Sequence, residues 1–381
     1  MRLSLTLILD RPRQRAKQLL AAGMLLLGAC KAEKDAPLPA PETFAAPTPY
    51  ALALPPFPFP PPTVPVPADN PLTVEGVELG RHLFYEKALS LDNTQSCGSC
   101  HQPRRAFTDG LARAVGVAGL PHPRSAMPLQ NLLWEPRLTW EGASTVLEVQ
   151  ARTPLENPIE MHQPLAAGVA RLQQLAIYPP LFGKAFGTST VSEANVLKAL
   201  AQFERTLVSA NSRFDRYQQG DRSVFSADEV AGMRLFGTHP DGRIRGGNCG
   251  DCHGGPLQTD HRFRNNGLDA LDPDAGLSSQ TNLPTDRGKF RVPSLRNIAL
   301  TAPYMHDGRL PTLEAVLDHY SEHVALTSPN LDPLLLNTTN DPLQLSRTLD
   351  LTAPEKARII AFLRTLTDDE FVQNPRFADP N

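Results

Sequence analysis

Cysteine and tryptophan are scarce in this 381-residue chain, and its net charge is small. The five cysteines (Cys30, Cys97, Cys100, Cys249 and Cys252) exclude a dense disulfide scaffold, and the odd count leaves each thiol to be explained individually. Aromatic residues make up 6% with two tryptophans, which points to a mostly aliphatic core. Lysine and arginine total 37 against 40 acidic residues, a net charge of −3, so a strongly basic nucleic-acid binder is excluded. The apolar run Leu19 to Ala29 is 11 residues long, short of the ~20 that span a bilayer as a helix. What remains still suits a globular protein: 41% apolar residues can bury a sizeable core, and the length allows two or three domains. Proline is the excess, at 38 residues or about twice the usual share.

The N-terminus reads as an export signal, with Arg2, Arg11, Arg13, Arg15 and Lys17 ahead of the short apolar run. Its end, Leu27-Gly28-Ala29-Cys30, resembles the lipobox of bacterial lipoproteins, in which the cysteine is lipidated. Residues 1–29 are thus expected to be cleaved, taking five positive charges and one negative with them and moving the net charge from −3 to −7. Residues 30–70 hold most of the proline excess, as in Pro55-Pro56-Phe57-Pro58-Phe59-Pro60-Pro61-Pro62. Such a stretch is expected to stay extended, with no core of its own. Behind a lipidated Cys30 it would be a tether on the periplasmic side of a bacterial membrane.

The other four cysteines form two copies of one pattern, Cys97-Gly98-Ser99-Cys100-His101 and Cys249-Gly250-Asp251-Cys252-His253. C-x-x-C-H is the attachment signature of c-type haem: each thiol adds to a vinyl group, and the histidine supplies an axial nitrogen to the iron. A zinc site built from two C-x-x-C pairs usually has them ~15–20 residues apart, and here the offset is 152. A thioredoxin-like pair has no abutting histidine and needs a βαβ setting.

The offset extends beyond the motif. Gly80, Leu83 and Phe84 recur at Gly232, Leu235 and Phe236, in the same register of 152 as the haem-attaching residues. Two copies of one unit are implied, expected over 71–214 and 215–381. Each copy ends in an amphipathic helix, Val196 to Leu207 and Pro354 to Leu366, the second capped by Thr352 with Pro354 in its first turn. With little strand signal, the predicted fold is mostly α: two tandem cytochrome c-like domains, each with one covalently attached haem.

On these motifs the chain resembles the bacterial di-haem cytochrome c peroxidase and MauG family, over about residues 70–370. The resemblance implies a first haem that meets peroxide and a second that exchanges electrons with it. The stretch Arg287 to Tyr320 is similar to the family's second-haem loop, and the distal-ligand position falls on Tyr320. Typical peroxidases have methionine there; MauG-like enzymes have tyrosine, whose hard oxygen favours oxidised iron. From the residues alone Met305, His306, His319 and His323 stay open as ligands. Gln150, Pro154 and Glu160 fall at the spacings of the MauG distal pocket. There Glu160 would be the general acid/base, Gln150 would hold peroxide by hydrogen bonds, and Pro154 would cover the open face. Trp140 matches the tryptophan between the haems, whereas Trp134 reads as packing. A calcium ion is implied at Thr301 and Pro303, although Ser125 stands where the family has asparagine.

Two further positions depart from the family. Leu111 to Leu120, where typical peroxidases carry a mobile distal histidine, contains none, and His122 is offset; an open first haem is expected. The position where MauG presents a surface tryptophan to its protein substrate is Gly247. The implied activity is a peroxidase that uses hydrogen peroxide to reach a high-valent state and then oxidises a side chain of a partner protein. The His122-Pro123-Arg124-Ser125-Ala126-Met127 context resembles the methanobactin-associated (MbnH-like) branch, whose partner is a copper-binding periplasmic protein. The alternative is an ordinary cytochrome c peroxidase fed by a small cytochrome or cupredoxin.

Overall fold

The structure, a computed structural model, describes residues 43–381 apart from 57, 242, 337–338 and 342–348. Residues 1–29, expected to be a signal, and Cys30, expected to be lipidated, lie outside the described residues. The first half carries helices α1 (Val74–Tyr85), α2 (Cys97–Cys100), α3 (Leu147–Glu156), α4 (Leu165–Gln174), α5 (Tyr178–Phe186) and α6 (Glu193–Arg205). The second carries α7 (Arg213–Gln218), α8 (Ala227–Gly237), α9 (Ser278–Thr281), α10 (Leu313–Asp318), α11 (Ala353–Arg364) and α12 (Asp369–Val372). Two-residue strands β1 (Phe263–Arg264) and β2 (Phe290–Arg291) pair antiparallel.

The internal repeat is a packing unit. α1 lies against α6, and α8 against α11. A Cβ on Gly80 would stand 2.0 Å from the Ala199 carbonyl oxygen, and one on Gly232 1.9 Å from that of Arg358. Both glycines therefore mark where two helix backbones touch. One turn on, Phe84 meets Phe203 at 5.2 Å between ring centroids, and Phe236 meets Phe362 at 5.1 Å. Leu79, Leu83, Val196, Leu200 and Phe203 fill the first core; Ile359, Phe362, Leu363 and Leu366 fill the second. Thr352 caps α11 in a capping box with Glu355, with Pro354 in the first turn.

Two segments cross the expected boundaries. Phe371, Val372 and Phe377 lie in the second half of the sequence but belong to the first core, where Phe371 packs on Phe107 at 5.5 Å. Tyr85 donates its hydroxyl to the Phe377 carbonyl at 2.5 Å. The tether, for its part, is not free over its described length. Phe59 is buried edge-on against Trp134, whose indole Nε1 donates to the Pro60 carbonyl at 2.9 Å. Thr63 and Val64 donate their N–H groups to the Leu133 carbonyl, and Thr48 bonds Glu75 on α1. The aromatic side chains between the prolines give this stretch apolar surface to bury, which a pure proline stalk would not have. Trp134 is a packing residue.

Candidate functional site

Each cysteine pair sits on one tight turn. Ser96 and Ser99 form a capping box at the start of α2, which presents Cys97 and Cys100 from a single helical turn. Cys249–Asp251 makes one 3₁₀ turn with the same role. The left-handed residues Ala106 and Phe107 then fold the chain back so that the Phe107 carbonyl lies 2.7 Å from His101 Nδ1. In the second half the Gln258 carbonyl lies 3.3 Å from His253 Nδ1, with Gln258 again left-handed. A bond to Nδ1–H fixes the tautomer and leaves Nε2 as a free lone pair, as iron ligation requires. Burial holds both imidazoles neutral, with His101 below its usual range and His253 pushed down to about 4. It also keeps the sulfurs as thiols, with Cys100 and Cys252 pushed up to about 11 and Cys249 to about 12. None of the four thiols is in a disulfide.

Each turn opens on a cavity, of about 420 Å³ in the first half and about 230 Å³ in the second. Two thiols, one neutral histidine with a free Nε2 and a largely apolar wall fit a c-type haem in each.

The first cavity gathers Cys97, Cys100 and His101 with Gln150, Pro154 and Glu160. Gln150 and Pro154 come from α3, and Glu160 from the turn that follows it. Glu160 Oε1 accepts from Asn157 Nδ2 at 2.8 Å. Two lining residues are additions to the set read from sequence. His122, expected to be offset, points Nε2 at Glu160 Oε1 from 3.3 Å. Glu204 on α6 also faces in, and burial pushes its carboxyl up to about 8, so it is mostly protonated at neutral pH.

The second cavity is lined by His253 and Tyr320, with Met305 and His306 also in its wall. Tyr320 is carried on a π-helical turn, His319–His323, that continues α10 and rotates the side chain inward. Its hydroxyl accepts from Asn266 Nδ2 at 3.2 Å, and burial pushes its phenol up to about 12. The same amide nitrogen is 3.4 Å from Met305 Sδ. His306 stacks on Phe290 at 3.8 Å, and His319 Nε2 is 3.1 Å from the Asn266 carbonyl. His319 and His323 do not line the cavity. Asn266 was not read from sequence, because its partners lie 39 and 54 residues away.

Trp140 lines both cavities. Its Nε1 donates to the Ser125 carbonyl at 3.0 Å, and the Arg291 N–H donates to the Trp140 carbonyl at 2.8 Å. The Arg291 side chain, buried beside it, is ion-paired to Glu135. Arg124 holds Asp274 at 2.8 Å and also pairs with Glu141. Thr301, Pro303 and Ser125 share the wall of the second cavity, and Ser125 donates its hydroxyl to the Met305 carbonyl at 3.0 Å. Among the described residues no three His, Cys, Asp or Glu side chains form a metal cage. Gly247 is buried: a Cβ there would meet Ile359 Cδ1 at 3.1 Å and Cys249 Sγ at 3.3 Å, so no surface aromatic is presented from this position.

Comparison with known proteins agrees with this geometry. The family model for di-haem cytochrome c peroxidase matches residues 74–223. The methylamine utilization protein MauG of Methylorubrum extorquens is 42% identical over 68% of this chain and 71% of its own. The chain belongs to the di-haem cytochrome c peroxidase/MauG family. As a member it is an oxidoreductase acting on peroxide, with two haem c groups. The cytochrome c551 peroxidase of Nitrosomonas europaea is 33% identical over 80% of this chain and 84% of its own. A solved MauG-like protein associated with microbial copper homeostasis is 38% identical, with a TM-score of 0.73 over 85% of this chain and 99% of its own. Among the described residues no helix is long and apolar enough to cross a membrane.

Proposed function

We propose that this family member is of the MauG-like type, using hydrogen peroxide to oxidise a side chain of a partner protein. The observation that carries the reading is Tyr320, a half-buried phenol in the second cavity where a simple relay would have a thioether. When bound, the haems supply iron that peroxide oxidises and that shares the resulting oxidising equivalents. Around the first cavity Glu160 takes a proton from the inner oxygen of peroxide and returns it to the outer one, which leaves as water. Gln150 orients the peroxide by hydrogen bonds, and Pro154 closes the face without offering a donor atom. Trp140, in both walls, carries the electron between the cavities. Tyr320 would offer its phenol oxygen to the iron of the second haem, with Asn266 holding that oxygen in place.

The likeness to a protein associated with copper homeostasis supports a copper-binding periplasmic protein as the partner class. In the same reading Cys30 carries a lipid anchor, and a calcium ion sits on the backbone oxygens of Thr301 and Pro303 beside Ser125. Steady-state oxidation of a reduced small cytochrome c is the test. Slow turnover, below about 1 s⁻¹, is expected; sustained turnover near ~10² s⁻¹ assigns the chain to ordinary peroxide removal instead. Gly247, which closes the family's surface-tryptophan route, is the feature that favours that alternative.

A further inference from the structure

One titratable side chain of the first cavity has no part in the chemistry above. His122 closes the loop that begins at Ala114, its N–H donating to the Ala114 carbonyl at 2.7 Å, and that loop is bound to the Glu160 segment, Val117 N–H donating to the Glu160 carbonyl at 2.9 Å. Its Nε2 stands 3.3 Å from Glu160 Oε1, the oxygen that also accepts from Asn157. The other ring nitrogen has two partners on one residue. Nδ1 is 3.2 Å from the Arg124 carbonyl and 3.2 Å from the Arg124 N–H.

That pairing suits both charge states of the ring. As a neutral Nε2–H tautomer, His122 accepts from the Arg124 N–H at Nδ1; as imidazolium, it donates from Nδ1 to the Arg124 carbonyl. In each state Nε2–H donates to Glu160. The His122 and Glu160 side chains are 27% and 28% exposed, so solvent reaches the pair. The charged groups acting on His122 are Glu160, which favours its protonated form, and Arg124, which opposes it. On the far side of Glu160 the groups that sense its charge are His101, Cys97 and Cys100.

We propose that His122 is a positioning residue for Glu160, fixing the orientation of the carboxylate in the first cavity and exchanging protons between it and solvent. The proposal rests on the reading of Glu160 as the acid/base. One proton leaves Nε2 and arrives on Oε1. The imidazolium becomes the neutral Nδ1–H tautomer, still bonded to the Arg124 carbonyl, and the carboxylate becomes the acid. Solvent returns a proton to Nε2, and no electron moves.

The test compares the holoenzyme with His122→Gln, Glu160→Gln and the double variant, using two probes. Hydrogen peroxide gives a second-order rate across pH. Cyanide gives an equilibrium affinity, because hydrogen cyanide must surrender its proton to a group in the cavity as it binds. His122→Gln is expected to leave both haem spectra intact and slow the peroxide reaction about tenfold. It should also displace the acid limb of the pH profile and weaken cyanide binding by a similar factor. In the Glu160→Gln background the same change should add nothing. A His122→Gln enzyme indistinguishable from the parent, while Glu160→Gln is slow, overturns the proposal and leaves the acid/base reading standing. Equal losses in both backgrounds overturn it too, since His122 would then act independently of Glu160. A Glu160→Gln enzyme of undiminished rate removes the reading beneath the proposal.

Discussion

Individual side chains divide the labour between the two cavities. Glu160 is the one carboxylate of the first cavity aligned by an amide, Asn157, and by an imidazole, His122. Glu160→Gln should slow the reaction with peroxide by about 10²–10⁴-fold while the absorption spectra of both haems stay unchanged, as read by stopped-flow spectroscopy. In the second cavity Tyr320→Phe removes the only atom that Asn266 shares with the proposed iron ligand, and leaves Met305 Sδ near the same amide. The expected outcome is a changed second-haem spectrum and a raised reduction potential, since an oxygen ligand that favours oxidised iron is gone; an unaltered potential removes Tyr320 from the ligand set. Cys97, Cys100, His101, Cys249, Cys252 and His253 stand out in the sequence because C-x-x-C-H is a contiguous pattern, and the structure brings each set to one cavity wall. His122 and Asn266 do not stand out, because each does its work across a loop and nothing in local spacing records such a partnership.

Helices carry the repeat, and the repeat explains which glycines matter. Gly80→Ala or Gly232→Ala places a methyl group against a backbone carbonyl at about half the normal contact distance, and a backbone cannot step aside as a side chain can. Each should cost about 1–3 kcal/mol, measured by denaturant unfolding of the holoenzyme. The N-terminus of α11 supplies a pH dependence. Arg245 Nη2 holds the Glu355 carboxyl at 2.7 Å and, with the Thr352 capping bonds, lowers its pKa to about 2. A depressed carboxyl contributes stability above its unfolded value near ~4.3, and loses it as pH falls toward the folded value. Glu355→Gln should therefore flatten the fall in melting temperature between about pH 4 and pH 2, with little change in slope near neutrality. Apolar periodicity showed α6 and α11 plainly, and the capping signal of Thr352 stood in the sequence. The π-turn under Tyr320 did not show, because a single inserted residue leaves the pattern of α10 intact.

At the level of the whole molecule the two halves meet at Trp140, which belongs to both cavity walls. Trp140→Phe keeps the shape of that wall and removes the easily oxidised indole. After one equivalent of peroxide the two haems should respond together in the parent enzyme, and separately and at different rates in the variant; simultaneous responses in the variant exclude the indole as the route. The division into two haem units could be read from the 152-residue offset. The strap of residues 43–70 and the return of the C-terminus could not, since both depend on surfaces that exist only once the helices have packed.

That return has a bearing on how the protein is made. Phe371 and Phe377 close the core around Phe107 and Phe203, and with Val372 they are made after every other residue of that core. The first haem unit is synthesised early but finished late. A growing chain must hold an unsealed aromatic pocket open until Phe377 has been made, and a product cut short before Phe371 carries that opening as a mark that a protease can read.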